Sequence, residues 1–182
     1  MWQYVWAHLV YHLVRLFPRT NRFKITLVVV MVLTVCLLVP QFWVLLEGHS
    51  IRWCSQPLFP LLITSIIFTF FLIGFVFLFL TMMPVPREVK VAFHIFGFVT
   101  FLTALIQVGY TSKAEECNSS TEALYKLSVV LTVLGMVTLV YIVVLLPFWI
   151  ANHVKLNCVL NTAERKGLCY EPVRCCSCLW HI

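Results

Sequence analysis

The sequence predicts an all-α membrane protein, a four-helix transmembrane bundle with an N-terminal amphipathic interfacial helix. Three observations carry that expectation. The chain of 182 residues is 62% hydrophobic and only 11% charged, with mean hydropathy +0.96, whereas a soluble domain needs about 25% charged residues to clothe its surface. Four apolar stretches each reach bilayer length. Lys and Arg fall unevenly on the two sides of those stretches, as in chains oriented by positive charge.

Residues 1–22 form the first element. Trp2, Val5, Trp6, Leu9, Leu13 and Leu16 recur at helical spacing. His8, His12, Arg15, Arg19 and Arg22 make a second, cationic stripe. The pattern predicts a helix over residues 2–17 in the headgroup layer, with Trp2 and Trp6 among lipid and Arg15, Arg19 and Arg22 facing phosphates. Pro18 is placed to end it. His8 and His12 stand one turn apart, but two histidines with no Glu or Cys nearby make a poor metal site.

The bundle is expected over residues 23–151, with spans at about 23–43, 58–83, 91–111 and 127–151. About 20 residues at 1.5 Å rise cross the hydrocarbon. Pro40, Pro60, Pro84, Pro86 and Pro147 punctuate the ends. Trp43, Trp53, Tyr110, Tyr125 and Trp149 stand where an interfacial aromatic belt belongs. Ten of the 13 Lys and Arg residues lie in the N-terminal segment, the middle loop and the tail, and three lie in the other two loops. The richer side is expected to be cytoplasmic, which puts both termini there.

Two features fit this orientation. Asn118-Ser119-Ser120 is the chain's only Asn-x-Ser/Thr sequon and falls in an expected outer loop. Cys54 and Cys117 are the only cysteines of the outer loops. An oxidising lumen would let them pair; two free thiols are the alternative. Val39-Pro40-Gln41 follows the first apolar run in place of a small-residue cleavage site, so the first span reads as uncleaved.

Within the bilayer, Gly97, Thr100, Ala104, Gln107 and Thr111 line one face of the third span, and Ser128, Thr132 and Gly135 one face of the fourth. Small residues let membrane helices approach closely, so these stripes predict an antiparallel contact between the two spans, with Gln107 bonding across it. No charged residue sits in the core of a span, which removes the usual proton relay, gating charge or ion ring. Cys36 is a lone thiol there. No catalytic motif occurs, and no catalytic, cofactor or metal residue is assigned. A soluble basic face for nucleic acid is also missing.

The tail, residues 152–182, holds Cys158, Cys169, Cys175, Cys176 and Cys178. Palmitoylation is the first reading, since these thiols lie close to the last span and near Arg174. Zinc binding, with His181 available, and plain reduced thiols stand as alternatives.

Trp43 follows the first span, and Glu47-Gly48-His49-Ser50-Ile51-Arg52-Trp53-Cys54 follows it in the first outer loop. This order resembles the claudin, peripheral myelin protein 22 and epithelial membrane protein group of four-span proteins. Those carry Gly-Leu-Trp and then Cys in that loop; here Trp53 abuts Cys54. The resemblance implies a four-span bundle acting through protein contacts.

The functional expectation is a non-enzymatic tetraspan protein of the plasma membrane, with the endoplasmic reticulum as the other compartment. Its partners would be the lipid bilayer and a second membrane protein or another copy of itself. A small oligomeric channel or transporter subunit is the second reading.

Overall fold

The computed structural model describes residues 1–16, 19–48, 54, 56–82 and 85–154. Among these, every regular element is a helix: α1 (Trp2–Leu16), α2 (Arg19–Leu46), α3 (Leu58–Thr81), α4 (Arg87–Thr111), α5 (Cys117–Ser120) and α6 (Glu122–Val154). Four of them, α2, α3, α4 and α6, contain stretches long and apolar enough to cross a membrane. The cysteine-bearing tail lies outside the described residues, as do Trp53 and His181.

The helices overrun the expected spans where their first turns permit it. Pro86 precedes α4, and Glu88 sits in its first turn. A proline ahead of the helix gives up no needed N–H, and an early carboxylate suits the helix dipole. Helix α4 therefore starts four residues before the expected span. Helix α6 starts at Glu122, whose carboxylate pairs with Lys126 one turn on. Pro40 and Pro147 lie inside α2 and α6 rather than at their ends. Each removes one helical hydrogen bond, which membrane helices tolerate. Helix α5 is one turn long and has no apolar periodicity to announce it.

Two apolar cores stack along the bundle. Near the Cys54–Cys117 pair (the disulfide end), Leu38 and Val44 of α2 meet Leu58, Leu62 and Ile66 of α3, with Leu124 and Leu131 of α6. Toward the opposite end the core is built around α1. Tyr4, Ala7, Val10 and Tyr11 pack with Leu72, Val76 and Phe79 of α3 and Phe93 and Phe96 of α4.

Helix α1 thus differs from the surface helix expected. Its residues 2–11 are buried, Trp2 included, apart from Trp6 and Leu9, which are part-buried against the same cluster. The Met1 backbone nitrogen donates to the Thr100 carbonyl at 3.2 Å. At 1.5 Å per residue, Thr100 lies about 20 Å along α4 from Arg87 and about 16 Å from Thr111. The tip of α1 therefore reaches mid-depth between α3 and α4. One physical reason is charge: no Lys, Arg, Asp or Glu precedes Arg15, so no charged side chain opposes burying residues 1–11, and the Met1 α-amino group buried with them is met by the Thr100 carbonyl and Gln3 Oε1. The side chains of Arg15, Arg19 and Arg22 lie outside those described.

Candidate functional site

The seat of α1 is built on Gly97. A Cβ added there would stand 2.5 Å from the Tyr4 ring, closer than real Cβ contacts come, so glycine is what admits the tyrosine. The Tyr4 ring stacks on Phe93 at 4.6 Å between centroids. Its hydroxyl lies 3.4 Å from His94 Nδ1. Phe93 is fully buried and also meets Phe75 and Phe79 of α3 at 5.2 and 5.0 Å. On the other flank, Gln3 Nε2 donates to Ser65 Oγ at 3.4 Å. Thr69, one turn beyond Ser65, returns its hydroxyl proton to the Ser65 carbonyl at 2.8 Å.

Beyond the α1 tip, toward the disulfide end, α1, α3, α4 and α6 enclose a small cavity. Its volume, counted as space for water centres, is about 20 Å³. Gln3, Ser65, Thr100, Thr103 and Gln107 are its polar lining. No charged side chain lines it among the described residues.

The small-residue stripes therefore divide their work. Ala104 faces α6, its Cβ 4.0 Å from where one on Gly135 would sit. Thr111 Oγ1 and Ser128 Oγ lie 2.9 Å apart, and Thr132 donates to Thr111 at 3.1 Å. These three hydroxyls join α4 to α6 near the disulfide end. Gly97 and Thr100, expected on that same interface, instead receive α1. Gln107 makes no bond across the bundle among the described residues; it lines the cavity. Sequence reasoning missed Gln3, Ser65 and Thr103 because no helix was expected between the spans to bring them together.

At the disulfide end, Cys54 and Cys117 are bonded, with Cα atoms 5.5 Å apart, inside the usual range. The bridge fastens the segment before α3 to α5. Asn118, the next residue, is exposed. Cys36 is exposed on α2 as a free thiol. Among the described residues, no three His, Cys, Asp or Glu side chains come together as metal ligands would.

The fold and its apolar exterior define a multi-pass membrane protein built as a helical bundle. No protein-family model matches the chain, and no curated protein or solved structure matches it.

Proposed function

We propose that this chain is a non-enzymatic tetraspan protein working by lateral contacts, as an accessory or organising subunit of a membrane complex. The observation that carries the reading is a pair of exposed valine rows. On α2, Val28, Val32, Val35 and Val39 face outward, and on α6 Val130, Val133, Val137, Val140 and Val144 do so. Their spacing alternates three and four, as in helices that wrap around one another.

Lipid tails are as apolar as valine, so burial alone does not join membrane helices. A valine row offers something else. Its β-branched side chains hold one dominant rotamer in a helix, so a flat surface forms contacts with little side-chain entropy to lose. Helix α2 is also loosely held by its own bundle, with 12% of its apolar window buried. The resemblance to the claudin and peripheral myelin protein 22 group supports the same reading.

In this proposal both termini are cytoplasmic in the plasma membrane, Asn118 carries an N-glycan outside, and the tail cysteines carry palmitate. Endoglycosidase is expected to shift wild type and not Asn118→Gln; an unshifted wild type with a luminal C-terminal tag reverses the orientation. The contact itself is tested by isolating the protein from native membranes in mild detergent. Val137→Trp with Val140→Trp, or Val32→Trp with Val35→Trp, is expected to abolish co-isolation of a stoichiometric membrane polypeptide or second copy, with the Cys54–Cys117 bridge still formed. A wild-type chain that isolates as a lone monomer refutes the proposal.

A further inference from the structure

We propose that the cavity beyond the α1 tip is a hydrated chamber inside the membrane, taking water and small neutral hydrogen-bonding molecules, and that α1 is the plug closing it from the end opposite the disulfide. This goes beyond the lateral-contact reading and does not depend on it.

The chamber's chemistry follows from where its hydroxyl protons go. Thr100 donates to the Gly97 carbonyl at 2.9 Å, and Thr103 to the Val99 carbonyl at 2.8 Å. Both hydroxyl protons are committed to the α4 backbone, so each oxygen turns its lone pairs toward the cavity. The Gln107 amide lines the same space with no hydrogen-bond partner among the described residues. Gln107 is part-buried, so its amide can be met by water that enters the cavity. A cavity needs about 10–15 Å³ of such volume, and two to four polar partners, to hold a water. This one has about 20 Å³ and five polar side chains around it. Its lining carries both donors (the Gln107 and Gln3 amides and the Met1 α-amino group) and acceptors, with no charged side chain, so it suits water first and a small neutral alcohol or amide next. Leu61, Phe68, Thr103 and Gln107 are only part-buried, so the chamber is not sealed on the α3–α4 side.

The plug is defined by its seat. Met1 and Gln3 reach the chamber floor, and Tyr4 lies in the notch that Gly97 leaves open. Withdrawing α1 would remove the Gln3–Ser65 bond and the Tyr4–Phe93 stack together, leaving the acceptors of Ser65 and Thr100 facing a gap that runs to the opposite end.

Thiol labelling in proteoliposomes tests both parts. The full chain carries serine at Cys36 and at the five tail cysteines, keeps the Cys54–Cys117 bridge, and receives one new cysteine at a time. The thiolate is the reactive form and is suppressed in apolar surroundings, so reaction with a methanethiosulfonate reports water. Gln107→Cys and Thr103→Cys are expected to react with the neutral hydroxyethyl reagent about tenfold or more faster than the lipid-facing controls Leu102→Cys and Val133→Cys. A cationic trimethylammonium reagent should lag the neutral one. Adding Gly97→Leu, which evicts the Tyr4 ring, should raise the rate at Ser65→Cys several-fold; Tyr4→Ala, which adds no bulk, serves the same purpose where Gly97→Leu fails to fold. Rates at Gln107→Cys no faster than at Leu102→Cys mean a dry cavity and overturn the proposal. A cationic reagent as fast as the neutral one overturns the ligand class. An unchanged Ser65→Cys rate with Tyr4→Ala overturns the plug.

Discussion

Phe93→Ala should loosen α1 while leaving the disulfide end intact. Phe93 is fully buried and touches both neighbours that matter, Tyr4 of α1 and the Phe75 and Phe79 rings of α3. In water, Phe→Ala in a core costs about 3–5 kcal/mol, much of it transfer from solvent. Here the transfer term shrinks, because a separated span rests in lipid rather than water. What remains is the ring contacts, about 0.5–1.5 kcal/mol for each aromatic pair. Of these pairs only the Tyr4 stack joins Phe93 to α1, so about 1 kcal/mol enters the docking equilibrium, roughly a fivefold shift at about 1.4 kcal/mol per factor of ten. Amide hydrogen exchange read by mass spectrometry reports such local opening. Protection across α1 is expected to fall by about fivefold, and protection in the first half of α6 to hold. Phe98→Ala on the lipid-facing side of α4 is the control, with an expected change under about threefold. Unchanged α1 protection in Phe93→Ala would refute the packing logic and show that the Tyr11–Phe79 ring pair and the Gln3–Ser65 bond hold α1 without the Tyr4 stack.

Two further outcomes follow from the other end of the bundle. Cys54→Ser opens a bridge spanning 63 residues, for which chain entropy predicts about 4 kcal/mol; spans held in the bilayer restrict the unfolded chain already, so a loss below that figure is expected in detergent unfolding, and no loss would mean that the bridge holds nothing the lipid does not. Gln41→Met should raise the melting temperature, because the fully buried Gln41 amide has no partner among the described residues on either its nitrogen or its oxygen and an unsatisfied buried polar group costs about 1–3 kcal/mol; a drop would reveal a partner that the amide does have.

The spans were legible because bilayer length and the absence of charge are written continuously in the sequence. The Cys54–Cys117 bridge was legible from side counting alone. Ala104, Ser128, Thr132 and Gly135 were assigned to an α4–α6 contact by their size and spacing. The same rule misplaced Gly97 and Thr100, because a small residue marks where something comes close and not what comes. Helix α1 misled for a related reason. Its period was read correctly, but Trp2 and Trp6 were weighed as interfacial anchors while the lack of charge before Arg15 went unweighed. Uncharged polar side chains can follow a helix into a core when they find partners there, as Gln3 and Tyr4 do on Ser65 and His94. Helix α5 and the cavity had no sequence signal at all, since both arise from how the long helices splay.

The two ends of the bundle are held by different means, and this sets where it can move. Near the disulfide, a covalent bridge and the Thr111–Ser128–Thr132 hydroxyl chain join α3, α4 and α6, and farther along Ala104 faces Gly135 at ordinary contact distance. Toward the opposite end, α3 and α4 meet through ring pairs such as Phe68–Phe96 and Phe75–Phe93, and α1 packs without a disulfide against the same cluster. Helix α1 is 15 residues long and meets the bundle without a covalent tie of its own. Losing α1 should therefore loosen α3 against α4 at one end only, hinged where Ala104 and Thr111 still grip α6. An opening of that kind would widen the polar cavity and leave both valine rows in place. Amide exchange in the last turns of α3 and the first turns of α4 should then quicken with Tyr4→Ala, while exchange around Thr111 and Ser128 should hold. Equal quickening at both ends would mean a bundle that opens as one rigid whole, with α1 no more than another wall of it.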